Sequence, residues 1–166
     1  MIRKFIKLIQ NKKNKKKITC LTAYTASIAK IIDKYVDIIL IGDSVGMAIY
    51  GMKNTQGVTL DIMKLHGKTV NKFSNKAFNI IDMPYGTYEN KKAALKNAKE
   101  LLDYTKCQSV KLETQKKDIE IVKHLVKNNI IVVSHIGVTP QKYKNFKKIK
   151  SVGKTTKEHD EIYNLA

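Results

Sequence analysis

The chain contains no tryptophan, two prolines and two cysteines, and Arg3 is the single arginine among its 32 basic residues. Each scarcity argues against a class of protein. Cys20 and Cys107 are far apart and embedded in apolar sequence, so they suggest neither a disulfide framework nor a zinc site. A pair of small, reduced, buried side chains is expected instead. The four histidines add no repeated Cys/His spacing. A module built to read nucleic acid uses arginine for bidentate contacts to bases and phosphates. The near absence of arginine, with no zinc-finger, RNA-binding aromatic or helix-turn-helix pattern, argues against a specific nucleic-acid partner despite the formal charge of +18. Long apolar runs are missing too: stretches such as residues 38–41 fall far short of the roughly 20 residues that cross a bilayer. The amino terminus has no continuous apolar signal segment or cleavage site, so no membrane partner is expected and the cytoplasm is the expected location.

What is present fits a globular chain. At 166 residues and 43% hydrophobic, it can bury one substantial core. The lysines are spread along its length, and the densest group, Lys12–Lys17, reads as a solvated connection. Residues 1–17 are therefore expected to be a short helix over 2–10 followed by a basic connection, and residues 18–166 the main domain.

From Ile18 onward apolar strands alternate with helical periodicity. Strands are expected at Ile18–Tyr24, Asp37–Ile41, Phe78–Ile81, Ser109–Leu112 and Ile130–Ser134. Helices are expected at Thr25–Tyr35, Leu60–Phe73, Asn90–Tyr104, Gln115–Asn128 and from Thr156 on. In the first helix Ala26, Ile28, Ala29, Ile31 and Ile32 form the candidate inward stripe. The unbroken apolarity of the second strand suggests cover on both faces. Gln141–Lys154 is basic and polar and reads as a surface loop. This alternation predicts right-handed β-α-β crossovers and a largely parallel sheet. The fold class is thus α/β, an incomplete (β/α)8 TIM barrel with about five parallel strands, since a whole barrel takes about 250 residues.

Polar groups cluster at the carboxyl ends of these strands. Ile39-Leu40-Ile41-Gly42 runs out into Asp43 and Ser44; the third strand ends at Asp82, the fourth carries Lys111 and Glu113, and the fifth reaches His135. Carboxylates gathered at that end of a parallel sheet suit a hard divalent cation. Plainer uses exist for each residue. Asp43 and Asp82 can cap helices, Ser44 can stabilise a turn, and Lys111 and Glu113, on one side of a strand, can pair with each other. His135 can orient a substrate or serve as a hydrogen-bonded histidine at the core edge. Tyr24 can pack or offer its hydroxyl.

The motifs Ile18–Tyr24, Leu40–Met47, Gly57-Val58-Thr59-Leu60-Asp61, Ile81–Tyr85, Val110–Glu113 and His135–Pro140, in this order and spacing, resemble the ketopantoate hydroxymethyltransferase family. Two departures are visible: Thr25 stands where the family usually has aspartate, and Thr114-Gln115 where it usually has glycines. The resemblance covers nearly all of the chain and about the first three-fifths of a usual family member. It implies a (β/α)8 barrel in a homo-oligomer that transfers a hydroxymethyl group from 5,10-methylenetetrahydrofolate to 3-methyl-2-oxobutanoate. The product is 2-dehydropantoate, on the route to pantothenate and coenzyme A. By the same resemblance Asp43, Asp82 and Glu113 form the Mg²⁺ environment, and Asp43, Ser44, Asp82 and Lys111 bind substrate. Lys111 supplies electrostatic stabilisation, and His135 is a further candidate.

The family's general base is a glutamate after a later strand, beyond Ala166; Glu158 and Glu161 do not stand in its motif. The expectation is a truncated or divided enzyme, whether a fragment record, the product of gene degeneration or one piece complemented by a C-terminal fragment. The alternatives are an inactive structural or binding remnant and another magnesium-dependent carbon–carbon bond enzyme acting on a 2-oxo acid.

Overall fold

A computed structural model describes residues 7, 10–12 and 15–166. The helix expected over residues 2–10 falls mostly outside the described residues. Lys12, expected in a solvated connection, instead pairs with Asp37 ahead of the second strand.

Five strands form one parallel sheet: β1 (Cys20–Thr22), β2 (Ile38–Ile41), β3 (Phe78–Asp82), β4 (Ser109–Glu113) and β5 (Val132–His135). Their spatial order is their sequence order, so each helix carries the chain one strand onward, as the alternating pattern predicts. The helices are α1 (Ala26–Ile32), α2 (Val45–Ala48), α3 (Leu60–Lys72), α4 (Lys91–Thr105), α5 (Ile119–Lys127) and α6 (Thr156–Leu165). All five strands and all five long helices expected from periodicity are present, with ends moved by at most four residues. The short α2 was not anticipated. The expected start of a helix at Gln115 is replaced by a 3-10 turn, Lys116–Asp118, closed by reciprocal bonds between Gln115 and Asp118. The helix proper begins only at Ile119.

Local chemistry fixes the helix starts. Thr25, Thr59 and Asn90 each turn a side-chain oxygen to a backbone N–H three residues on, and Thr155 with Glu158 forms a capping box for α6. Among the described residues neither Asp43 nor Asp82 caps a helix, and Ser44 precedes α2 without a side-chain cap bond. The acids at the strand ends are thereby left for other work.

The core lies between the sheet and its helices, where Ile39, Ile41, Ile81, Val110 and Leu112 meet Met63, Val70, Ala94, Ala98, Leu101 and Leu125. β3 is buried at every position. β2, expected to be covered on both faces, buries Ile39 and Ile41 while Ile38 and Leu40 remain half-buried. At the edge strand β1 all three residues are exposed, Cys20 among them, so the expected pair of buried cysteines reduces to Cys107. Of the expected stripe on α1 only Ala29 is fully buried; Ile28 and Ile31 are 45% and 58% exposed. Both corrections share one cause, which is that β1 pairs with β2 alone among the described strands. The seven-residue α1 therefore has little sheet to cover.

Packing between α3 and β3 depends on Gly67. A Cβ there would lie 2.4 Å from Ile81 Cδ1 and 2.7 Å from Thr105 Cγ2. At the opposite end of the sheet from the strand-end acids, Asp33 follows α1 and accepts hydrogen bonds from Ser74 Oγ and from the backbone N–H groups of Asn75, Lys76 and Ala77. It ties the first crossover to the entry of β3. Among the described residues no helix is long and apolar enough to cross a membrane.

Candidate active site at the strand ends

Parallel pairing places the polar strand ends side by side. In the register Asp82 lies opposite Lys111 and Glu113 opposite His135. Lys111 Nζ is accordingly 2.6 Å from Asp82 Oδ1, a close ion pair at a buried carboxylate. The alternative in which Lys111 pairs with Glu113 is not what forms. Asp82 Oδ2 accepts the backbone N–H of Asp43 at 3.1 Å. Gly42 makes room for Ser44, since a Cβ there would be 2.8 Å from Ser44 Oγ but at an ordinary 3.5 Å from Asp82 Oδ2. Beside them the Tyr24 hydroxyl and Ser44 Oγ share a hydrogen bond of 2.7 Å, which gives Tyr24 a polar contact rather than packing alone.

Charge is the tension in this group. Burial, then the charge of Asp82, pushes Asp43 up to about 6, against the restraining Gln141 amide, Lys111 and the Thr55 hydroxyl. Burial also raises Asp82, with Lys111 opposing. Burial raises Glu113 to about 7, with the Gln141 N–H holding it down and the two aspartates adding repulsion. His135 is shifted the other way, lowered by burial and by Lys111, which favours a neutral ring. Its Nδ1 is buried without a hydrogen-bond partner among the described residues and lies 3.8 Å from Glu113 Oε1.

Two groups outside the anticipated set complete the site. Gln141, assigned by its sequence to a surface loop, is 3% exposed. It follows Pro140 in a 3-10 turn and reaches both Asp43 and Glu113. Tyr88, from the loop after β3, bonds to its side chain. A polar residue directly after the His135–Pro140 motif was the available signal for Gln141. Tyr88, six residues beyond the strand end, carried none.

The family model described as ketopantoate hydroxymethyltransferase matches residues 3–166. The chain belongs to the ketopantoate hydroxymethyltransferase family. It is similar to the 3-methyl-2-oxobutanoate hydroxymethyltransferase of Pelagibacter ubique (strain HTCC1062), with 48% identity over 89% of this chain and 57% of that protein. The namesake in Anaplasma marginale (strain Florida) is 45% identical over 93% of this chain and 56% of that protein. The chain thus spans little more than half the length of these relatives. Among solved structures, 2,3-dimethylmalate lyase, a PEP mutase/isocitrate lyase superfamily member, superposes with a TM-score of 0.57 at 14% identity. That match covers 78% of this chain and 51% of the lyase, and it speaks to fold alone. The five strands therefore correspond to about half of a TIM barrel, as the strand count suggested.

The donors available to a metal in this ketopantoate hydroxymethyltransferase-family site are carboxylate oxygens, the ligand type of magnesium. Three buried carboxylates, each raised in pKa, face one lysine; a divalent cation would offset that excess of negative charge. The residues fit the ion. Among the described residues, however, no three His, Cys, Asp or Glu side chains are already gathered around one point. Asp43 and Asp82 touch through a backbone N–H, whereas Gln141 stands between Asp43 and Glu113.

Proposed function

We propose that this chain carries the substrate-polarising half of a 3-methyl-2-oxobutanoate hydroxymethyltransferase, using 5,10-methylenetetrahydrofolate as donor and yielding 2-dehydropantoate for pantothenate and coenzyme A synthesis. The observation that supports it most directly is the Asp43–Asp82 pair set beside Lys111 at the strand ends.

In this reading Asp43 and Asp82 would hold Mg²⁺, directly or through water, and Glu113 would act from the outer shell, because both its oxygens accept the Gln141 N–H at 3.1 Å. Bound Mg²⁺ supplies Lewis acidity, drawing electron density from the keto oxygen of a 2-oxo acid. Lys111 holds a fixed positive charge beside the position of the substrate carboxylate and the developing enolate. The Tyr24–Ser44 pair spends one hydroxyl proton on its shared bond and keeps one O–H to offer a substrate oxygen. Neutral His135 can donate through one ring nitrogen and accept through the other, which suits it to orient substrate.

Proton removal from C3 needs a separate base. The aspartates are committed to the cation, and Glu158 is spent on the cap of α6, accepting from the N–H groups of Lys154 and Thr155. We assign the base to the portion of the family chain beyond residue 166. A homo-oligomer, a complementary carboxyl-terminal segment and a cytoplasmic location belong to the same proposal.

The test combines the purified chain with Mg²⁺, 3-methyl-2-oxobutanoate and 5,10-methylenetetrahydrofolate, with and without the complementary segment of a relative. Product is expected only with the segment. Calorimetry on the same samples should show Mg²⁺-dependent binding of the 2-oxo acid that Asp43→Asn and Asp82→Asn weaken. Unchanged binding in both folded variants would remove the assignment, and efficient transfer by residues 1–166 alone would overturn the placement of the base.

A further inference from the structure

Gln141 has every polar atom engaged. Its backbone N–H donates to Glu113, and its backbone carbonyl accepts from Gln56 Nε2 at 2.7 Å. Its side-chain nitrogen donates to Asp43 Oδ2 at 2.7 Å and to the Met83 carbonyl at 3.0 Å. Its side-chain oxygen accepts from the Tyr88 hydroxyl. One residue thus joins the ends of β2, β3 and β4 to the loops after β2 and β3.

The amide can face only one way. The ionised Asp43 and the Met83 carbonyl offer it only acceptors, so its nitrogen faces them and its oxygen is left to accept the Tyr88 O–H. A flipped amide would set its oxygen against the carboxylate and the carbonyl and lose both of those bonds, keeping only a contact to the Tyr88 hydroxyl. We propose that Gln141 is the positioning residue of the acidic centre, with Tyr88 orienting its amide, and that this pair sets the carboxylate geometry offered to a divalent cation.

The amide occupies one lone pair of Asp43 Oδ2, and with the Thr55 hydroxyl also on this carboxylate it leaves only part of Asp43 to face a cation, as outer partners of metal ligands commonly do. It also accounts for the spacing of the acids. Glu113 hangs from the backbone and Asp43 from the side chain of the same residue, so their separation is fixed by the dimensions of one glutamine. The cation arm of this inference rests on the function proposed above; the positioning arm does not.

Two measurements on the 166-residue chain separate the arms. In the cation-free protein, the Gln141 side-chain NH₂ resonance should be protected from exchange and should move in both Asp43→Asn and Tyr88→Phe. A freely exchanging amide, or one indifferent to both variants, overturns the positioning role whether or not a cation binds. Titration with Mn²⁺ by electron paramagnetic resonance, well below the melting temperature, should then show Gln141→Leu weakening binding by roughly 10- to 100-fold. Tyr88→Phe should weaken it less. A merely structural glutamine would lower the melting temperature and leave Mn²⁺ affinity unchanged, which would refute the proposal. Tighter binding in Gln141→Leu would refute it too, since the glutamine would then be a plug. A wild-type chain with the protected amide and no Mn²⁺ binding would count against the proposed metal function and leave the positioning role standing.

Discussion

Replacing Asp33 by alanine should be among the most damaging single changes in this chain, although Asp33 is far from the strand-end acids. The carboxylate accepts from Ser74 Oγ at 2.7 Å, from Asn75 N at 3.0 Å, from Lys76 N at 3.0 Å and from Ala77 N at 2.9 Å. The losses do not simply add. Ser74 keeps a second acceptor in Asn79 Oδ1, and the N–H groups of Asn75 and Lys76 belong to exposed residues that water can reach. Ala77 is buried, and its N–H has no such recourse. One stranded buried donor costs about 1–3 kcal/mol, and losing charge-assisted bonds adds a comparable amount, so Asp33→Ala should cost about 3–4 kcal/mol. Asp33→Asn retains one carbonyl acceptor and should cost about half as much.

The pH dependence adds a second signature. Burial alone would raise the Asp33 pKa, but the donors from Ala77, Asn75, Ser74 and Lys76 outweigh it and hold it below the ordinary value. A carboxyl lowered in the folded state contributes its full stability above its unfolded pKa of about 3.9 and loses it as pH falls through the folded value. Urea unfolding should therefore show a constant gap between wild type and Asp33→Asn from about pH 5 to 8, shrinking on further acidification. A gap below about 0.5 kcal/mol at pH 7, the range of ordinary surface substitutions, would refute the reasoning. So would a gap that widens in acid.

Gly67→Ala should destabilise by about 1–3 kcal/mol through overpacking, despite the better helix propensity of alanine, because the new methyl meets Ile81 and Thr105; a chain of equal or higher urea midpoint would contradict this. Lys111→Met keeps the side-chain stem but removes the cation beside Asp82. In the reconstituted enzyme turnover should fall roughly 100-fold, the scale for deleting one preorganised charge-stabilising group. Parental kinetics with an unchanged circular dichroism spectrum would discharge Lys111 from that role.

Strand and helix placement was legible because each β-α unit buries its own apolar run, a local property of the sequence. Ile39, Ile41 and Ile81 announce themselves by composition alone. The strand-end position of Asp43, Asp82, Glu113 and His135 was equally legible, since each directly follows or closes an apolar run. Exposure of Cys20, Ile28 and Ile31 was not, because it depends on which neighbour lies beyond β1, and no residue of β1 encodes that. Burial of Gln141 was hidden for a related reason. Its surroundings are polar and lysine-rich, and five partners distributed over four separate segments draw it inward.

The same distinction explains why residue types at the site were foreseeable and their pairings were not. Lys111 and Glu113 stand two apart on one strand, which makes a local ion pair the economical reading of the sequence. Register decides otherwise. With Ile80 opposite Ser109, Asp82 falls opposite Lys111, and with Val110 opposite Val132, Glu113 falls opposite His135. Each strand therefore hands its polar group to the next strand along, and the lysine is drawn to Asp82 at 2.6 Å. That leaves Glu113 without a lysine of its own, raised by burial and dependent on the Gln141 backbone for its hydrogen bonds. A shift of β4 by two residues against β3 would keep each side chain on its own face of the sheet, yet it would set Glu113 or Ser109 opposite Asp82 and move the lysine away. The chemistry of this end of the sheet thus rests on strand register.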